Sequence, residues 1–420
     1  MILMNSWIRI LALWLCCWGC AESPIRPEQP FRLEVRAKRA AKSDTYIVSH
    51  GGQEVFRLEA LKWRHGHRGA ISVTYDAPWG IDPVFSLATD AAIARGVRMD
   101  MEIVSSKLQH FKRLPIIPRM HQELVPNGIG FFGHGHEHIH YDWYGFSAAY
   151  EAFRTNFQLM KKWGFKPKTY AYPHWAGILA GTQAANRQAG FIAARGGTRR
   201  PPSRDDYYIC PDGTREPKNW YYLPSVIMGA KNGTDMPHHD AVLPVLEGAI
   251  NAGAWVILTY HSIGAPEGWG YYPFEEFKRD LDYIAAADFW SGNMDAVATY
   301  IQERNALDIQ IVRYFGVGIP RQYELIIGDG LDNAIFDEPL TFDFHFNPEL
   351  GVQRVHFQPE IEGESSFAVQ DHSLRLELLP DERRYEVVLE RADSVDLSAH
   401  RHLPEKRFHA LTTGSDPVHR

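Results

Sequence analysis

Between residues 70 and 304, short β-branched runs alternate with stretches whose apolar positions recur at helical spacing. That alternation predicts strands and helices in turn, the mark of β/α units. Strands are predicted at 71–75, 99–105, 128–132, 169–172, 191–195, 254–260 and 288–290. Asp82 followed by Pro83 has the form of a helix N-cap with a first-turn proline. The best helix begins at Ser147, with Phe146, Tyr150, Phe153, Phe157 and Met160 on one face, and Gly164 stops it. Another follows Pro273, carrying Phe274, Phe277, Leu281 and Ile284, and a last one runs to Arg304. About seven units predict a barrel over residues 65–305.

Past Asn305 the helical period gives way to alternating runs at 323–327, 340–346, 352–357, 374–379 and 384–389, separated by Gly, Pro and Asp turns. These predict a small antiparallel β-sandwich over 306–391, followed by a loose polar tail at 392–420. Ahead of the barrel, residues 21–64 read as a linker plus a β-hairpin, with β-like stretches at 32–35 and 46–58.

The apolar run 10–18 behind Arg9 has the shape of a signal-peptide core and is too short to span a bilayer. Residues 1–20 are therefore expected to be a signal peptide that exports the chain to the periplasm or the outer membrane or cell envelope of a bacterium. Gly19 before Cys20 resembles a lipoprotein processing site, so a lipid on Cys20 is a candidate membrane attachment. Cleavage there would leave Cys210 as the remaining cysteine, with no internal disulfide.

With 420 residues, 45% of them hydrophobic, the chain can bury a sizeable core in two folded units. Its net charge of −7 comes without a basic stripe, which argues against nucleic acid or a strongly anionic membrane as partner. A neutral ligand such as sugar fits better.

The chemistry concentrates after the third predicted strand, where Gly133-His134-Gly135-His136-Glu137-His138-Ile139-His140-Tyr141-Asp142 places four His within seven residues. His134 and His138, four apart, point the same way in a helix or tight turn, and neutral imidazoles are good zinc ligands. A solvated His-rich loop with weak metal affinity is the competing reading. Asp76 closes the first strand, where an Asp is more often a turn former or helix cap. His261 ends the apolar run Val256-Ile257-Leu258-Thr259-Tyr260 and reads equally as a site residue or a satisfied core histidine.

Together these segments resemble the polysaccharide deacetylase family, also known as carbohydrate esterase family four or the NodB homology domain, over residues 65 to 305. Thr74-Tyr75-Asp76 matches the first motif, except that Ala77 replaces its second Asp, the family's metal ligand. His134 to His138 matches the second, and Ala171-Tyr172-Pro173-His174 matches the groove-lining third without its Arg, for which Arg195 or Arg199 could stand in. His261 matches the last motif; Asp205 and Asp206 are candidates for the acidic motif that tunes it.

The resemblance implies a distorted (β/α)7 barrel and a metal-dependent hydrolase removing N- or O-linked acetyl groups from an extracytoplasmic polysaccharide or oligosaccharide. Asp76 and His261 are then catalytic, as base and acid. His134 and His138 hold a divalent metal, with zinc the first choice, and Tyr172, Pro173, His174, Trp79 and Arg195 contact substrate. Because Ala77 cannot coordinate, three completions stay open: Asp76 as ligand with Asp142 or Glu137 as base; His136 or His140 as a further ligand; or a catalytically weak, carbohydrate-binding protein. Trp79, Tyr141, Trp143, Tyr172, Trp175 and Trp269 fall on loops after strands, where rings can stack on sugar or fill the core rim.

Overall fold

The computed structural model describes residues 36–39, 44–76, 83–110, 114–198, 203–229, 236–315 and 319–392. The leader with Cys20, Ala77, Trp79, Asp82, Arg199 and the tail from 393 lie outside the described residues.

Seven parallel strands form a barrel: β1 (Gly69–Tyr75), β2 (Met99–Ile103), β3 (Ile129–Gly133), β4 (Thr169–Ala171), β5 (Ala193–Arg195), β6 (Val226–Ile227) and β7 (Trp255–Tyr260). Hydrogen bonding follows the order β5-β4-β3-β2-β1-β7-β6. Parallel bridges from Arg195 to Leu223 and from Thr198 to Val226 join β5 to β6 and complete the circuit. The result is the distorted (β/α)7 barrel that the periodicity and the resemblance predict. Its seventh member differs: the short strand Phe289–Ser291 pairs with the base of β1 at Gly69–Ile71, while Val226 and Ile227 supply β6 from within a long insert. Two residues carry no readable period, so that strand is invisible in the sequence.

All seven residues of β1 are buried, because helices cover the sheet outside and side chains fill it inside. Its polar members are satisfied: Ser72 Oγ donates to the Gly292 carbonyl and Thr74 Oγ1 to that of Leu258, both at 2.8 Å. The longest helix among the described residues, Gly145–Lys162, buries Ala149, Phe153, Asn156 and Met160 along one stripe, whereas Phe146 is exposed. Asn156 interrupts this apolar face for a reason: its Nδ2 donates to the carbonyls of Ile103 and Gly135, both at 2.9 Å, tying the ends of β2 and β3 to the helix.

Two five-stranded antiparallel sheets make the sandwich. One orders Arg36–Arg39, Thr45–His50, Gln53–Ala60, Leu340–Phe346 and Ser373–Leu378; the other orders Asp308–Phe315, Gln322–Gly328, Asp381–Arg391, Val352–Ile361 and Glu364–Ala368. Phe56 of the first meets Tyr323 of the second edge-on at 5.2 Å. The hairpin ahead of the barrel thus belongs to this sandwich, pairing with Leu340–Phe346. An isolated hairpin is marginal in water, and this one hides its apolar residues only as part of the larger sheet. Trp63, Ala70, Trp255, Trp290 and Tyr300 connect the barrel base to the sandwich core. Among the described residues no helix is long and apolar enough to cross a membrane.

Candidate active site

Three adjacent strands deliver three ionisable groups to the carboxyl end of the barrel. Asp76 follows β1, Glu102 lies in β2 and His134 follows β3; one donor atom of each falls within 4.8 Å of the other two. Their exposures are 6%, 9% and 2%, so the group is largely buried. Position in the sheet fixes two of them: Asp76 N–H donates to the Tyr260 carbonyl, and His134 N–H to that of Ile103. The His134 ring is set by its neighbours, with Nδ1 2.9 Å from the Ala171 carbonyl and Nε2 3.0 Å from Glu102 Oε2. Nδ1 therefore carries a proton, and Nε2 faces the carboxylates.

Gly135 makes the following turn possible. It sits at φ +90, where L residues are strained, and a Cβ there would lie 2.5 Å from the Tyr141 hydroxyl. That hydroxyl donates to the Glu137 carbonyl at 2.5 Å and accepts from the Glu137 N–H at 3.2 Å, closing the His-rich loop on itself.

Arg195, at the end of β5, is 1% exposed and pairs through Nη2 with Asp76 Oδ1. His261 Nε2 stands 3.8 Å from the other Asp76 oxygen. Burial alone would raise the Asp76 pKa, but the Arg195 guanidinium, with His134 and His261, outweighs it and holds the carboxyl below its ordinary value. Glu102 goes the other way: burial dominates, and the adjacent Asp76 charge adds to it, so its pKa is raised despite His134. For His134, burial works downward but the Glu102 and Asp76 charges prevail and raise it. Burial, then the imidazoles of His134 and His174, push His138 down to about 3, which keeps it neutral.

The structure brings Asp76, His134, Arg195 and His261 together. His138 lies outside the three-residue group, its ring 5.0 Å from that of His134 and 4.5 Å from that of His174. His136 turns to Ser105, with Nδ1 3.1 Å from Oγ, and His140 stacks on Trp143, so neither joins the group as a ligand. Glu137 is exposed, and Asp142 Oδ2 accepts the N–H groups of Gly177 and Ile178, which occupies it as a loop tie.

Tyr172 and Pro173, expected on the groove, are buried instead; Tyr172 packs against Phe153, Tyr170 and Tyr222 because the loop after β4 folds its ring inward over Gly177. His174 remains exposed beside His138. Trp175 seats against Gly197, where a Cβ would come within 1.7 Å of its ring, and meets Trp269 at 5.4 Å; Trp269 in turn stands edge-on to His261 at 4.3 Å. Asp206 Oδ2 accepts from the Ser203 N–H and Ser203 Oγ accepts from the Asp205 N–H, a capping box that gives this segment a local role.

Glu102 is the residue that sequence reasoning missed. The signal was the run Met99-Asp100-Met101-Glu102-Ile103, in which two acids share one face of an otherwise apolar strand. An acid that far inside a parallel barrel costs free energy unless something pairs with it.

The donor set fits a divalent cation. Neither Glu102 oxygen receives a well-aligned hydrogen bond although both are buried, and carboxylate oxygens with an imidazole nitrogen are donors that divalent cations accept. The carboxylate charges that raise the His134 pKa are also the charges that would attract a metal.

No family model matches the chain, and no curated protein does. Among solved structures it is similar to a family 4 carbohydrate esterase from Streptomyces lividans in complex with acetate, at 14% identity and a TM-score of 0.36 over 54% of this chain and 93% of that one. It is also similar to a putative polysaccharide deacetylase from Mycobacterium smegmatis, at 14% identity and 0.42 over 58% and 93%. A third is the peptidoglycan deacetylase PdaC from Bacillus subtilis, at 11% identity and 0.34 over 55% and 89%.

Proposed function

We propose that this protein is a metal-dependent hydrolase that removes acetyl groups from an extracytoplasmic polysaccharide. The observation that carries the reading is the buried convergence of Asp76, Glu102 and His134 at the carboxyl end of the barrel, the end at which such folds keep their active sites. These three residues would hold the ion, zinc being the first choice, and the neutral His138 stands next to them. A bound divalent metal lowers the pKa of water and polarises an acyl carbonyl.

The protein's own groups divide the remaining work. Arg195 keeps Asp76 ionised, so Asp76 supplies fixed negative charge and is a poor proton acceptor. Glu102, buried beside Asp76 and His134, would be the group that accepts a proton from the attacking water. His261, across Asp76 and walled by Trp269, donates a proton to the departing amine or alcohol. Residues 1–20 act as the export signal in this reading, with a lipid on Cys20 holding the protein at the cell envelope.

Acetate release from acetylated chitin oligomers, peptidoglycan and acetylated plant glycans tests the proposal, run beside elemental analysis of the purified protein. Release that chelator and His134→Ala both abolish is expected. A full complement of metal with no release from any glycan sinks the catalytic assignment. One observation favours a second reading, a carbohydrate-binding protein without turnover: the Arg195–Asp76 pair already neutralises one of the three groups. Sugar binding with metal well below one per chain would establish it.

A further inference from the structure

Two loops leave the site side by side and are tied together twice. The loop after β3 runs from His134 to Tyr144, and the loop after β4 from Tyr172 to Leu179. At the site they meet through the rings of His138 and His174, 4.5 Å apart. Further out, Asp142 Oδ2 accepts from Gly177 N at 2.9 Å and Ile178 N at 3.1 Å. Beyond that second tie the two loops present large apolar side chains to solvent: Trp143 is 77% exposed, Tyr144 54%, Ile178 66% and Leu179 54%.

Scattered exposed apolar residues are ordinary, but a cluster fixed by a shared carboxylate marks a binding surface. Trp143 is braced as well: the His140 ring stacks on one of its faces at 4.4 Å and 8°, and its exposure places the other toward water. A flat ring held rigid on one side and bare on the other suits the apolar face of a pyranose. The segments 143–147 and 176–181 contain no Lys or Arg, so these loops bring none of the cations that recruit an anionic bilayer.

We propose that Trp143, Tyr144, Ile178 and Leu179 form a platform that binds further units of the glycan whose acetylated residue occupies the site. The proposal rests on the deacetylase reading for its choice of ligand, and on continuity of the two loops for its position. Substrate length then matters: a polymer reaches both site and platform, whereas a disaccharide reaches the site alone.

The test compares wild type with Trp143→Ala/Ile178→Ser, a surface variant outside the catalytic group. Acetate release is measured on a long acetylated polymer and on an acetylated disaccharide, and co-sedimentation with insoluble chitin, peptidoglycan and acetylated xylan is measured in a His134→Ala background. The variant is expected to raise KM about tenfold on the polymer, the size of one lost aromatic contact, and to leave the disaccharide kinetics unchanged. Co-sedimentation should weaken similarly. Loss of co-sedimentation without acetate release from any substrate would support the platform and remove the catalytic reading. Unchanged polymer binding overturns the platform, as does a His134→Ala parent that sediments with none of the three polymers. So does a variant that alters vesicle binding or self-association while polymer binding persists.

Discussion

Glu102 and His134 face each other across adjacent strands, Oε2 to Nε2 at 3.0 Å, with their side chains 1% and 2% exposed. Glutamine at 102 keeps the shape and removes the charge. Glu102→Gln is expected to weaken metal binding by more than the ~10–100-fold typical of losing a residue that merely supports a ligand, whereas His138→Ala should stay within that range. Competition titration with a metal chelator measures both; equal losses, or a larger one for His138→Ala, would return His138 to the ligand set.

In the proposed reaction His261 donates a proton and is not among the residues that would hold the ion. His261→Ala should lower kcat by about 10²- to 10⁴-fold, the usual worth of a positioned acid, with metal content unchanged. Elemental analysis of the variant separates this from a structural effect, because a lost metal would show His261 to be part of the binding site.

Arg195 is both a neutraliser and a buried strut, lying over the Phe132 ring at 5.2 Å as well as pairing with Asp76. Removing one partner of a buried pair strands the other. Arg195→Met should cost about 3–5 kcal/mol in urea denaturation, and further removal of the Asp76 charge in Arg195→Met/Asp76→Asn should recover part of it. A double variant no more stable than the single one would refute the coupling.

One layer below Glu102, Asp100 is 2% exposed, its oxygens accepting from Asn293 Nδ2 at 3.0 Å and Met294 N–H at 2.7 Å. Burial, with the nearby Asp295, pushes its pKa from 3.8 up to about 8. The folded state therefore binds this proton more tightly than the unfolded chain. Its contribution to stability is complete below the ordinary value and is lost as pH rises through about 8. The melting temperature of wild type should fall across that window relative to Asp100→Asn, whose own level drops because one acceptor becomes a donor. Parallel pH profiles for the two proteins would refute the assignment.

Much of this could be read from sequence because burial imposes period. The strand runs at 169–172 and 254–260 and the strand run at 340–346 lie within a residue or so of Thr169–Ala171, Trp255–Tyr260 and Leu340–Phe346. Asp76, His134 and His261 were visible because each terminates an apolar strand. Glu102 was hidden inside one, where an acid looks like an interruption. Tyr172 misled for the opposite reason: a ring after a strand can point to the groove or the core, and only the fold of the next five residues decides. Val226 and Ile227 are too few to show alternation, and the membership of Gln53–Ala60 in a sheet completed some 280 residues later leaves no local trace.

That last pairing has a consequence for biosynthesis. The barrel is threaded into the sandwich as an insertion, so on the ribosome the strands at 45–60 emerge first and wait, an edge with exposed amides, until Leu340–Phe346 has been made. During that interval the barrel must close over a base that still lacks its floor. A fragment cut at 65 and 305 would carry that unfinished state permanently, lacking the sandwich residues that complete the shared core, and is expected to aggregate.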